Sequence, residues 1–217
     1  MNWKIKNYLL IILFLFNFPV YAKNCKYNWE VYSLGFHIGN SEDELHVEED
    51  FIWVNSIFQP SEFLKSFKVE NIERFIQYDS NLNFLRKREF YLKNKKEYNL
   101  QYKSNQIFSD NNLSFEKKHN LTIDSTVFPY IYFLNNKINI TNITNVNILT
   151  KNKVIYGELF FDKNNFYIKN KDLKLQVFIK EDRQPYKILI NKDNQSLTIN
   201  LKEKICTDGK FLTKTAN

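Results

Sequence analysis

Apolar residues recur at every second position of this chain, in one short run after another. That is the period of a β-strand with one buried face. Leu173, Leu175, Val177 and Ile179 alternate, as do Tyr186, Ile188 and Ile190, then Leu197, Ile199 and Leu201. Tyr98, Leu100 and Tyr102 repeat the pattern mid-chain. Near the start, Tyr32, Leu34, Phe36 and Ile38 read as one face of a strand, and Leu45, Val47, Phe51 and Trp53 as a later odd-numbered face. Turn formers separate the runs, among them Asp79-Ser80-Asn81, Ser109–Asn112, Asp162–Asn165, Lys169–Asp172, Glu181–Pro185 and Asn191–Ser196. Turns spaced by about 10–14 residues suit an antiparallel meander, because parallel strands need long crossovers. The expected fold is mainly β: a single curved antiparallel meander sheet or partly open barrel, with one short helix at about 124–136 packed against it. Asp124 or Ser125 can cap that helix, and Pro129 suits its first turn. Its Val, Tyr, Ile and Phe residues also favour a strand. Ser61–Phe67 breaks the rhythm as a helical turn or a crossing loop.

The chain holds only 4 glycines, and Gly35 and Gly39 sit close together in the first run. A glycine inside a strand marks a bulge, a bend or the close approach of another element. Both are read as strand-bend glycines in a curved first hairpin, with a gap left for a ligand as the alternative. Gly-x-x-x-Gly between strand residues is not a phosphate-cradling Gly-x-Gly-x-x-Gly.

Lys4 and Lys6 precede the apolar run Tyr8–Phe18, and Val20-Tyr21-Ala22 offers small residues for signal peptidase. A membrane-crossing helix needs about 20 apolar residues, more than this run holds. Residues 1–22 are read as a cleaved secretory signal and 23–217 as one β-rich domain, with no transmembrane segment after cleavage and the periplasm as destination. The formal net charge is +7, and two of those lysines leave with the signal. Such mild basicity in an exported chain disfavours nucleic acid. The knots Arg86-Lys87-Arg88 and Lys93–Lys96 read as solvated strand face or turn, with attraction to anionic lipid, and so peripheral membrane association, as the functional alternative. The 2 cysteines, Cys25 and Cys206, are expected to form one disulfide in an oxidising compartment.

The opening Tyr32-x-x-Gly35-Phe36-x-Ile38-Gly39 after a signal peptide resembles the bacterial envelope family called domain of unknown function 3108. Asp124-Ser125 followed by Phe128–Leu134 resembles that family's mid-chain helix start, and Glu181–Ile188 its late hairpin. Asn135-Asn136 stand where the family would place an arginine. The resemblance implies a periplasmic protein of curved antiparallel sheets partly closed around a helix, similar to the open barrels of lipoprotein carriers. It implies no activity.

No catalytic constellation is visible. The chain has no Gly-x-Ser-x-Gly and no Cys-His pair. His37, His46 and His119 are isolated; a His37–His46 metal pair lacks a placed acidic ligand. The runs Glu42–Glu44 and Glu48–Asp50 lack the alternating oxygens of a calcium loop. No metal, cofactor or enzyme activity is expected. The leading reading is a non-enzymatic envelope protein that binds a lipid or acyl chain in its curved sheet. Tyr32, Phe36, Trp53, Phe84, Tyr98, Phe128 and Tyr132 are the candidate apolar face, each also readable as plain core. The alternative is an assembly or scaffold factor that binds another envelope protein along a sheet edge.

Overall fold

The computed structural model describes residues 22–110, 113–130, 143–151, 153–162, 165–181, 184–192 and 195–209. Residues 1–21 of the expected signal lie outside them, and its last residue, Ala22, opens β1. The described strands of the first half are β1 (Ala22–Ser33), β2 (Phe36–Val47), β3 (Phe51–Pro60), β4 (Ile72–Asp79), β5 (Phe84–Tyr91), β6 (Lys96–Lys103), β7 (Gln106–Ser109) and β8 (Ser114–Glu116). Those of the second are β9 (Leu121–Asp124), β10 (Ile143–Leu149), β11 (Val154–Asp162), β12 (Asn165–Lys169), β13 (Leu173–Ile179), β14 (Pro185–Lys192) and β15 (Gln195–Gly209). They form one 15-stranded sheet in the order β8-β7-β6-β5-β4-β3-β2-β1-β15-β14-β13-β12-β11-β10-β9. Two meanders thus meet where β1 pairs with β15. The expected mainly β, antiparallel architecture is what is found, and the sheet does not close. The exception to antiparallel order is β9, which lies parallel to β10.

Alternation puts one face of each strand into a common core. Tyr27 and Trp29 enter from β1, Val54 from β3, Ile76 and Tyr78 from β4, Phe166 and Ile168 from β12, and Leu175 and Val177 from β13. The end of β9 lies against the buried face of β5, since Lys87 Nζ is 2.8 Å from Asp124 Oδ2 and the Asp124 N–H donates to Tyr78 Oη. The sheet is therefore rolled, its last strand turned inward beside the first meander.

Three local readings change. The chain reverses at Leu34-Gly35, where Ser33 pairs with Phe36 and both turn residues have positive φ, 49° and 83°. That is the type I′ turn that matches strand twist, so Gly35 serves the turn and Phe36 opens the next strand. Gly39 stays in β2 beside a register shift. A Cβ there would press on the Gln59 carbonyl and lie 2.9 Å from the Phe58 ring, so it marks a close approach of β3. At 124–136 no helix begins at Asp124. That residue ends β9, its Oδ1 accepts from the Thr126 N–H at 2.8 Å, and Phe128–Tyr130 is a single buried 3-10 turn; residues 131–136 lie outside the described set. The described α-helix is α1, Glu62–Ser66, capped by Ser61.

Cys25 and Cys206 stand opposite each other in β1 and β15 and are bonded, with a sequence separation of 181. Unlinking a loop that long is expected to lower stability by about 2–5 kcal/mol. Urea unfolding of Cys25→Ser/Cys206→Ser beside the oxidised parent checks this; an unchanged midpoint would show that the strand pairing alone holds the termini.

Candidate functional site

Both faces of the β2–β6 ladder carry polar chemistry. On the buried face, register lines up Asp43, Ser56, Arg74, Glu89 and Tyr98 in one row across β2, β3, β4, β5 and β6. Lys87 lies one row away, opposite Ile76 and Leu100. The segment after β9 covers these groups. Tyr130 Oη donates to Asp43 Oδ2 at 2.7 Å and accepts from Trp29 Nε1 at 3.3 Å. Lys87 Nζ serves Asp124, the Thr150 carbonyl at 3.1 Å and Glu89 at 3.5 Å. Glu89 also accepts from Tyr91 Oη at 2.6 Å and pairs with Arg74 at 3.3 Å.

Burial pushes the Asp43 carboxyl above its ordinary value, against the opposing hydrogen bonds of Ser56, Tyr130 and Ser41. Burial would also raise Glu89, but Arg74, the Tyr91 hydroxyl and Lys87 together hold it below the ordinary value. Burial first, and then Asp43, drives the Tyr130 phenol well up. A shifted carboxyl beside a phenol is the raw material of acid–base catalysis. Here each group is already committed to a neighbour, and the hollow that reaches Asp43, Ser56 and Arg74 measures about 100 Å³. The network ties elements together; it is not an open reaction chamber.

The other face of β3–β6 carries a larger groove, about 520 Å³. Trp53, Phe75 and Phe90 supply aromatic surface, and Asn55, Asn99 and Gln101 supply amides. The Arg86 guanidinium lies 5.1 Å from the Phe75 ring centre, its Nε donating to Gln77 at 2.8 Å. Arg88 stands 5.7 Å from the Phe90 ring centre and pairs with Glu97 at 3.2 Å. Among the described residues Arg86 has no carboxylate partner.

The seven residues expected to share an apolar face are dispersed. Trp53 lines the groove, stacked on His46 at 3.5 Å. Phe84 and Phe128 are buried core. Tyr32 is half-buried and donates to Glu30. Phe36 is 74% exposed beside the first turn. Tyr98 packs on Tyr91 under the Lys151 ammonium. Tyr132 is outside the described residues. His37 and His46 stand at opposite ends of β2, opposite Tyr32 and Asn24, too far along the strand to share a metal. Among the described residues no group of three or more His, Cys, Asp or Glu side chains is placed for one.

Sequence reading named Arg86-Lys87-Arg88 only as a basic knot and Asp124 only as a helix cap, and it missed Phe75 and Phe90 of the groove and Asp43, Arg74 and Glu89 of the network. The signal was present in Phe84–Tyr91, FLRKREFY. Its cationic knot lies in a strand, so Arg86 and Arg88 must face opposite to Lys87.

No family model matches the chain, and no curated protein matches it. Among solved structures, it is similar to a β-barrel-like protein of domain of unknown function DUF1849 from Brucella abortus. The TM-score is 0.50 at 8% sequence identity, covering 87% of this chain and 98% of that one. That likeness is one of fold.

Replacing Lys87 leaves the buried Asp124 carboxylate without its cation, while Glu89 keeps Arg74, so Lys87→Met is expected to cost about 3–5 kcal/mol in urea unfolding. Asp43 behaves oppositely. With its native value raised, the ionised carboxylate is a cost that is absent in acid and grows as pH climbs from the ordinary carboxylate range through the native value. Asp43→Asn should therefore gain stability over the parent as pH rises from about 4 to 8. Paired melting curves across that range would show a flat difference if the folded chain left the Asp43 carboxyl at its ordinary value.

Proposed function

We propose that this is an exported, non-catalytic envelope protein that binds an amphiphile with an acidic head in the groove over β3–β6. The observation that carries this is the pair of guanidiniums set over aromatic rings there, Arg86 on Phe75 and Arg88 on Phe90. Aromatic surface takes an apolar chain, and arginine takes a carboxylate or phosphate with directed hydrogen bonds. The volume is within the range of small-molecule sites. This keeps the expected lipid or acyl ligand but moves it to the outer face, because bulky side chains such as Trp29, Tyr78 and Phe84 occupy the inner one. The disulfide is consistent with export to an oxidising compartment. So is the lack, among the described residues, of a helix long and apolar enough to cross a membrane.

Capture of a protein partner along a sheet edge has less behind it. The end strands β8 and β9 are 3 and 4 residues long, and short edges template strand addition poorly.

Native mass spectrometry of the chain from Lys23, mixed with laurate, tests the groove. One bound laurate is expected, weakened about tenfold or more by Arg86→Gln, which removes a charge-assisted hydrogen bond. An adduct that Arg86→Gln and Phe75→Ala both leave intact would sink the reading.

A further inference from the structure

The antiparallel order brings alternate connections to the same rim of the sheet. The β1–β2 turn, α1 and the β5–β6 turn all stand at one end, since Pro60 pairs with Gly39, the Ser61 N–H donates to the Ile38 carbonyl at 2.9 Å and the Leu92 N–H donates to the Asn71 carbonyl at 3.2 Å. That rim exposes Leu34 at 81%, Phe36 at 74%, Phe63 at 68% and Phe67 at 65%, with Val69 and Leu92 beside them. Six of the 11 large apolar side chains that are exposed among the described residues therefore gather at one end. Helix α1 buries none of its residues. Its Phe63 packs on Phe67, ring centres 5.0 Å apart, so the two rings form a preassembled surface ridge and contribute nothing to the core. An exposed apolar cluster of this kind marks an interaction surface.

Charge identifies the occupant. Lys68, Lys93, Lys95 and Lys96 are exposed around the cluster. Further along the same rim, Lys171 and Lys192 border a polar hollow, beside the strand whose Leu197 pairs with Ser33. The rim's acids are largely engaged: Glu62 pairs with Lys65, and Glu70 accepts from the backbone N–H groups of Lys93 and Asn94; Asp172 stands beside Lys171. The opposite rim carries Glu48, Glu49 and Asp50 in the β2–β3 connection and Asp79 at the end of β4, together with exposed Lys103 at the end of β6 and Lys180 after β13. The exposed apolar residues and a surrounding group of lysines are thus concentrated at one end, while the other end mixes charges of both signs.

We infer that this rim docks on an anionic lipid bilayer. Phe36, Phe63 and Phe67 enter the interface and the surrounding lysines engage the headgroups. A bilayer fits better than a protein groove because apolar tips ringed by lysine match its two layers, acyl boundary below and phosphate above. Glu48, Glu49 and Asp50 are then held away from the surface. The inference is independent of the groove, which is lined by residues of a strand face and by none of the six apolar residues of the rim.

The test is flotation of the chain from Lys23, which retains the described fold apart from Ala22, with vesicles of phosphatidylethanolamine and phosphatidylglycerol. Omitting residues 1–22 removes their own apolar run from the measurement. Binding to these vesicles and little to neutral phosphatidylcholine is expected, weakening as salt is raised. Phe36→Ser/Phe63→Ser/Phe67→Ser should reduce binding at least about tenfold. The three side chains are solvent-exposed, so the thermal midpoint should hold. Should that variant lose its fold, Lys171→Glu/Lys192→Glu provides the reading, with binding reduced on anionic vesicles alone. Equal binding by folded variant and parent, equal binding to both vesicle types, or a patch-dependent dimer with no flotation would each overturn the inference.

Discussion

Pairing of the first strand with the last is the constraint on which the rest of the sheet depends. β1 runs beside β15 from Ala22–Gly209 to Ser33–Leu197, at the centre of the strand order. Without it there are two separate meanders, each with a half-exposed core. These contacts are also the most distant in sequence, so their loop-closure entropy is large and falls late in folding. The Cys25–Cys206 bond lies within this pairing and links the two meanders covalently. Tyr27 packs on Tyr130 and Trp29 donates to its hydroxyl, contacts that exist only when both halves are present.

Rolling the sheet raises a second problem, which the Lys87–Asp124 pair answers. When β9 turns in against β5, polar backbone and side chains enter the core and need partners. Lys87 takes Asp124, Glu89 and a carbonyl; Tyr130 takes Asp43 and Trp29. The network acts as a registry device: its hydrogen bonds are satisfied in one placement of β9 and the turn that follows it. It also fills the inner face, where the hollow at the network measures about 100 Å³, while the larger groove lies on the outer face.

Much of the architecture was legible. Alternation and turn spacing identify a mainly β meander, and two cysteines in an expected oxidising compartment identify their own partner. Side-chain direction was less legible, because a period of 2 transfers from one strand to the next only if the connection preserves parity. The residues between Val47 and Phe51 do not. Leu45 pairs with Val54, so Val54 faces inward and Trp53 outward, and an apparently continuous odd-numbered face divides between core and groove. At Leu34-Gly35 the chain reverses inside what reads as one strand, since the I′ turn takes two residues and leaves the alternation looking unbroken. The buried charges were invisible for a related reason: Lys87 in Arg86-Lys87-Arg88 looks like its neighbours until pleating separates them.

The sequence by itself determined the class of structure. Period-2 patterning, frequent turn residues and a scarcity of glycine leave the chain little to form except twisted antiparallel strands with one apolar face each, and those properties are local. The tertiary structure decided which face of each strand counts as inside, which charges are buried, and which exposed aromatics share a surface. These outcomes depend on register and on which connections meet at a common rim, and both are set by pairings between residues far apart in the chain.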